Sequence, residues 1–133
     1  MEFGETALGD LLIAKPGKIL YTAGLGDPMR KVVAIMHEHG ISQMPVIGRD
    51  GSLVGLIEEV DMLNHLLEEH NHSQDEAIDP LVQNASAVFP AETSLEDAMP
   101  SLKSGLALIV VENSKPIGIL TKMDVLDYVA GKI

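Results

Sequence analysis

The stretch GILTKMDV, residues 118–125, places a short apolar run before Thr121 and then Asp124. The same outline occurs earlier in the chain as GLIEEVDM, residues 55–62. In both stretches a glycine opens the apolar run, and a helix-like apolar segment follows the acid. An outline that occurs twice at matching positions predicts an internal duplication.

The surrounding sequence repeats as well. Apolar residues at helical spacing predict a helix that opens each half, over DPMRKVVAIMHEHG (27–40) and TSLEDAMPSLKS (93–104). Two β-rich runs joined by turn residues follow in each half and predict a hairpin, ISQMPVI with LVGLI and then LALIVVE with KPIGIL. The segments EEVDMLNHLLEEH and KMDVLDYVAG predict closing helices. Each half is therefore expected to read helix, strand, strand, helix.

The register of the duplication can be counted from matching positions. Gly118 follows Gly55 by 63 residues, whereas Leu95 follows Met29 by 66. We therefore expect the second half to have lost three residues between its first helix and its hairpin. Because such units bury apolar faces against each other, a ligand cleft is expected at their seam.

Composition excludes several classes of protein. The chain has 133 residues and a formal net charge of −11, which disfavours binding to nucleic acid. It has no cysteine, no apolar run long enough to span a membrane, and no signal-peptide pattern at its start. We expect a soluble cytoplasmic protein without disulfides.

The paired stretches GISQMPVIGRDGSLVGLIEEVDML (40–63) and GLALIVVENSKPIGILTKMDVL (105–126) resemble a tandem pair of CBS domains, also called a Bateman module. The resemblance covers about Leu11 to Val129. Within that family the chain is most similar to the C-terminal regulatory module of cystathionine β-synthase, through GDLLIAK, HGISQMPV and LALIVVEN.

The resemblance implies an α+β fold of two βαββα repeats related by a pseudo-twofold axis. The expected divisions are an N-terminal extension (1–10), a first repeat (11–70), a polar linker (71–79) and a second repeat (80–133). It also implies an adenosine-containing ligand, a homodimer, and a catalytic partner domain such as a PLP-dependent cystathionine β-synthase-like enzyme. The apolar stripes of the first helices, in MRKVVAIM and LEDAM, predict the face for self-association.

Two interpretations fit Thr121 and Asp124. A threonine followed three residues later by an acid resembles a capping box, which needs no ligand. In the family, the same spacing after a glycine forms the ribose and phosphate motif, in which the carboxylate accepts from a vicinal diol. Both roles are compatible with one turn. The first copy has Glu58 in place of the threonine, so a second equal nucleotide site is doubtful, and Asp61 is expected mainly to stabilise a helix start.

The remaining site residues rest on the resemblance. Ile41 and Pro45 would flank the adenine ring, while Ser42 and Gln43 would lie near the amino-acid end of S-adenosylmethionine. Modules of the cystathionine β-synthase type have an acid at the position of Ser42. This difference weakens the case for S-adenosylmethionine as the ligand. The other candidates are Met44, Leu20 and Tyr21 of strand-like KILYT, and Lys122 beside Thr121. Ile41, Met44 and Pro45 are equally typical of a buried strand. We expect S-adenosylmethionine to be the preferred ligand, with AMP or ATP as the main alternative.

Other chemistry has weak support. Five histidines, at 37, 39, 65, 70 and 72, do not share a helix face, so no metal site is predicted. No acid, base and nucleophile come together in a catalytic pattern, so the chain is not predicted to be an enzyme. Three hypotheses remain: an adenosyl-ligand sensor that regulates a partner, a dimerisation module with a vestigial site, and a minor hydrolase or nucleotidyl enzyme.

Overall fold

The computed structural model describes residues 3–15, 19–68 and 73–132, and the chain divides into two compact units. Unit 1 consists of Met1–Leu20 together with Ser86–Ile133, and unit 2 is Tyr21–Ala85. Each unit therefore contains one of the two repeats. Residues 3–15, which include the end of the predicted extension and the first residues of the predicted first repeat, belong to the unit of the second repeat.

Unit 2 contains a three-stranded sheet in the order β1-β2-β3. Strand β1 runs parallel to β2, and β3 runs antiparallel to β2. The elements are β1 (Ala23–Gly24), α2 (Met29–His39), β2 (Gln43–Ile47), β3 (Leu53–Glu58) and α3 (Glu59–Glu68). A short 3₁₀ turn, Asp79–Leu81, follows them.

Unit 1 repeats this topology, with a sheet in the order β4-β5-β6. Its elements are α1 (Leu8–Ile13), β4 (Val88–Pro90), α4 (Leu95–Lys103), β5 (Leu108–Glu112), β6 (Lys115–Leu120) and α5 (Lys122–Lys132). The predicted α+β class and the two similar βαββα repeats are confirmed.

The first helix of each repeat buries its apolar stripe in the core of its own unit. On α2 the buried side chains include Met29, Val32 and Met36. On α4 they include Leu95 and Leu102. The prediction that these stripes form an association face was therefore wrong, because each sheet needs the same apolar residues to cover it.

Two local predictions are corrected by strand pairing. The strand predicted over KILYT lies instead at Ala23–Gly24, where Ala23 pairs with Val46 of β2; Lys18 is outside the described residues. One of the three residues lost from the second half is lost inside the hairpin. Gly55 follows its partner Val46 by nine residues, whereas Gly118 follows its partner Val110 by eight.

The shorter hairpin turn has a distinct backbone conformation. Asn113 and Ser114 connect β5 to β6, with φ of 52° and 67°. Positive φ at both central residues matches the right-handed twist of the flanking strands and is tolerated by asparagine. The second repeat therefore closes its hairpin with two residues, where the first uses Gly48–Ser52.

Each unit is completed by a segment that precedes the repeat of the other unit. In unit 2 the amide groups of Met29 and Arg30 donate to the carbonyl oxygens of Glu76 (2.9 Å) and Gln74 (2.8 Å). These are the first two residues of α2, and early helix amides have no partner within the helix. The described part of the predicted polar linker, residues 73–79, thus caps a helix.

The equivalent bonds occur in unit 1. The amides of Leu95 and Glu96 donate to the carbonyl oxygens of Thr6 (2.8 Å) and Gly4 (2.9 Å). The extension before the first repeat thus caps the opening helix of the second repeat. The duplication includes these capping segments as well as the helices and strands.

The capping segments then cross the last strand of each sheet at a glycine. In unit 2, Leu56 and Gln83 exchange backbone hydrogen bonds of 2.8 and 2.9 Å, and a Cβ on Gly55 would collide with the Gln83 carbonyl oxygen. In unit 1 a Cβ on Gly118 would collide with the Leu12 side chain. The glycines therefore allow the segments to approach the sheets closely.

We predict that Gly55→Ala destabilises the chain by about 1–3 kcal/mol, because a hydrogen-bonded carbonyl must move to admit the methyl group. Gly118→Ala should cost less, since the Leu12 side chain can change rotamer. Urea denaturation followed by circular dichroism measures both. Gly131→Ala is the control: nothing lies within 4 Å of its Cβ position in α5, and alanine favours helix by about 0.5–1 kcal/mol. Equal stability of Gly55→Ala and the control would contradict this account.

Candidate functional site

The turn between β6 and α5 places Thr121 and Asp124 in a reciprocal capping box. The Thr121 amide donates to Asp124 Oδ2 at 2.8 Å, and the Asp124 amide donates to Thr121 Oγ1 at 3.2 Å. The Thr121 carbonyl oxygen accepts the bond from the Val125 amide, at 3.1 Å, that begins the helix. The capping interpretation is confirmed, and it holds the Asp124 carboxylate at the helix N-terminus.

A lysine from the N-terminal segment reaches the same carboxylate. Lys15 Nζ lies 2.5 Å from Asp124 Oδ2, and the two side chains are only 17% and 12% exposed. Lys15 follows α1, whose Leu8 and Leu11 are buried in the core of unit 1. The helix therefore anchors the segment that carries the ammonium group to Asp124. This ion pair is largely buried, and salt screens a buried ion pair much less than an exposed one.

The corresponding turn in unit 2 has different partners. Asp61 Oδ2 accepts a hydrogen bond from Gln83 Nε2, and the Glu59 amide donates to the Ser42 carbonyl oxygen at 2.9 Å. Glu58 is the last residue of β3 and pairs with Gln43 of β2. A neutral amide thus satisfies the carboxylate here, in place of the cation found in unit 1.

The two turns differ strongly in charge. The second-repeat turn brings together one anion, Asp124, and two cations, Lys15 and Lys122, of which Lys122 is exposed at the start of α5. At the matching positions the first repeat has three anions, Glu58, Glu59 and Asp61, and Asp61 accepts from neutral Gln83. A positively charged turn is notable in a chain with a net charge of −11, and it is the one suited to an anionic group.

The other predicted site residues are distributed between the units. Met44 and Pro45 are buried in β2, Ile41 packs against the core of unit 2, and Ser42 is exposed. Tyr21 stacks on His39 with ring centroids 3.9 Å apart and planes 18° apart. Leu20 belongs to unit 1. Thr121, Lys122 and Asp124 therefore form one constellation, whereas the ligand roles of Ile41–Pro45, Leu20 and Tyr21 stay predictions.

Sequence reasoning missed Lys15 and Gln83. Lys15 ends GDLLIAK, a stretch that carried the resemblance without a role for its lysine, and Gln83 lies in no motif. Each reaches its aspartate only because the segment that carries it crosses the sheet of one unit. A faint signal was present: GETAL and QDEAI, which hold the helix-capping residues, are similar short stretches that precede the two repeats.

Two of the described histidines, His39 and His65, have partners within unit 2. His65 Nε2 lies 3.0 Å from Glu76 Oε2, and His39 stacks on Tyr21. His70 and His72 lie outside the described residues. Among residues 3–15, 19–68 and 73–132, no group of three or more His, Asp or Glu side chains could hold a metal ion. Within the same ranges, every helix is too short or too polar to cross a lipid bilayer.

The chain is similar to known proteins both in sequence and in structure. Yeast (Saccharomyces cerevisiae) cystathionine beta-synthase is 26% identical over 149 aligned residues, which cover 96% of this chain and 28% of that protein. The chain thus spans little more than a quarter of the length of this relative.

Two solved structures share the fold. The structure of CBSX2 in complex with AMP has a TM-score of 0.76 at 25% identity and covers 95% of this chain and 97% of that one. The CBS domain pair of protein MJ0100, in complex with 5′-methylthioadenosine and S-adenosyl-L-methionine, has a TM-score of 0.72 at 21% identity and covers 96% and 98%.

A family model for the CBS domain matches this chain twice, over residues 11–68 and 78–131. These two matches contain both Gly-x-x-x-x-x-Asp outlines from which the duplication was inferred. The chain therefore belongs to the CBS-domain family and carries two CBS domains.

Proposed function

We propose that this chain is a regulatory module that binds one adenosine-containing ligand at the turn of Thr121 and Asp124 and controls a catalytic partner domain or protein. The observation that carries the proposal is the capping box, which fixes the Asp124 carboxylate at the N-terminus of α5. The ligand class is supported by two CBS-domain structures of similar fold that contain adenosyl compounds, AMP in one and S-adenosyl-L-methionine in the other.

The chemistry of the turn fits a nucleoside with a polar tail. An ionised carboxylate offers about four acceptor positions. Asp124 can therefore accept from the 2′- and 3′-hydroxyl groups of a ribose while it keeps its bond to the Thr121 amide. The amide groups at the start of α5 and the Thr121 hydroxyl favour a negatively charged group nearby.

The proposal assigns this function to the second repeat alone. In the first repeat the acid at the threonine position, Glu58, would repel a phosphate, and Gln83 already donates to Asp61. We therefore infer one ligand per chain.

The regulatory mechanism we propose is a population shift. A ligand that binds one arrangement of the two repeats better than another moves the equilibrium by its difference in affinity, and a partner that contacts either repeat senses the change. The likeness to yeast cystathionine beta-synthase supports a PLP-dependent enzyme of that kind as the partner. No catalytic step is assigned to this chain, and the proposed location is the cytoplasm.

We predict that Asp124→Ala weakens binding of AMP or S-adenosylmethionine by about 1.5–3 kcal/mol, the range for a hydrogen bond to a charged group. Isothermal titration calorimetry on the full chain measures the change. Asp61→Ala is the matched control, because it removes the equivalent carboxylate of the first repeat and should leave affinity unchanged. Equal losses in both variants, or none in Asp124→Ala, would refute the assignment.

A second function, dimerisation, is favoured by exposed apolar residues on the closing helices. On α3 they are Val60 (48% exposed), Leu63 (55%) and Leu67 (73%), which share one helix face. On α5 they are Met123 (61%) and Leu126 (58%), at the positions that match Val60 and Leu63. We propose that these faces, and not those of the first helices, associate in a homodimer.

We predict that the double variant Leu63→Glu with Leu126→Glu is a monomer, because charge on an apolar interface is costly to bury. Sedimentation velocity at several concentrations measures the mass. Val33→Glu, on the exposed side of α2 (37% exposed), should remain a dimer and serves as the control. An unmodified chain that stays monomeric at high concentration would contradict this proposal.

A further inference from the structure

We propose that Lys15, which pairs with Asp124, is a specificity-determining residue of the ligand site that contacts the phosphate of a bound adenosine nucleotide. The site would then favour a 5′-phosphate over the sulfonium tail of S-adenosylmethionine. This inference rests on the proposed function and names the charge class of its ligand.

Lys15 is held at the site by the fold of unit 1. The α1 helix is fixed by backbone bonds from Leu8 to the Thr93 carbonyl oxygen (2.9 Å) and from Gly9 to the Ala91 carbonyl oxygen (2.8 Å). The Leu12 side chain packs at Gly118, and the Lys15 amide donates to the Leu12 carbonyl oxygen at 3.2 Å. The backbone of Lys15 is thereby fixed, whereas its long side chain can still change rotamer.

The ion pair between Lys15 and Asp124 is mostly buried, so its electrostatic interactions are stronger than they would be in water. The Lys15 Nζ atom is buried, and the Asp124 side chain is 12% exposed. A cation at this depth has lost much of its hydration, so it requires an anion close by. When ribose hydroxyl groups occupy part of the Asp124 carboxylate, a phosphate supplies a second anion within reach of the ammonium group.

A sulfonium group has the opposite effect. It would bring a third positive charge to a turn that already holds Lys15 and Lys122 against a single carboxylate. Like charges in a partly buried site repel more strongly than in water. The order we propose is therefore the reverse of the one expected from the sequence, in which S-adenosylmethionine ranked ahead of AMP.

The test is calorimetric titration of the full chain with AMP, with uncharged adenosine and with S-adenosylmethionine. In Lys15→Gln we expect AMP to bind about tenfold more weakly or worse, as loss of a charge-assisted hydrogen bond implies. Adenosine should change little, and S-adenosylmethionine should bind more tightly. Lys15→Arg should retain the preference for AMP. Lys103→Gln removes the same charge from an exposed position in the last turn of α4 and should match the unmodified chain.

Other outcomes overturn the inference in distinguishable ways. If all three ligands bind more tightly to Lys15→Gln, Lys15 only blocks Asp124 and does not select charge. If AMP binding depends on Asp124 but not on Lys15, the proposed function stands and this inference fails. If the unmodified chain binds none of the three ligands, both fail. Circular dichroism of each variant confirms that the comparison is made on folded protein.

Discussion

The structure depends on the close approach of a covering segment to each three-stranded sheet. Gly55 and Gly118 lie where these segments cross, and a single methyl group at either position would collide with its neighbour. The same segments satisfy the amide groups at the starts of α2 and α4. A three-stranded sheet with one layer of helices leaves apolar surface uncovered, so the covering segment is needed for a complete core.

This covering has a functional consequence, because each segment also carries a polar side chain to the aspartate of the turn beside it. In unit 1 the segment supplies Lys15 to Asp124, and in unit 2 it supplies Gln83 to Asp61. The fold is thus duplicated while the chemistry of the two turns has diverged. One turn has a capping box and two lysines nearby, and the other has three acidic residues, of which Asp61 accepts from the neutral Gln83 amide. Two similar repeats are therefore compatible with a single ligand site.

The features predicted correctly from the sequence are those that short local patterns determine. Helical spacing located α2 and α4, because a helix must present one apolar face to its core, and β-rich runs joined by turn residues located both hairpins. The spacing of Thr121 and Asp124 predicted the capping box for the same local reason. The sequence count placed all three lost residues before the hairpin, whereas one of them is lost inside it. A count from the first helix to the glycine of the last strand does not show where between them a residue is missing.

The features that sequence did not predict are long-range. Lys15 and Asp124 are 109 residues apart in the chain, and only the packing of α1 on β6 brings them together. The apolar stripes of α2 and α4 were assigned to an association face because periodicity shows that a face is apolar but not what covers it. The exposed apolar residues of α3 and α5 are visible only once the cores are assigned.

The central claim is that one adenosine-containing ligand binds at the turn between β6 and α5. Backbone amide chemical shifts of the isotope-labelled chain, recorded during titration with AMP, test it most directly. The account predicts saturable shifts at Lys15 and at Thr121–Val125, with little change at Glu58–Met62. Shifts of equal size and midpoint at both turns, or none at Thr121–Val125 at saturating ligand, would contradict it.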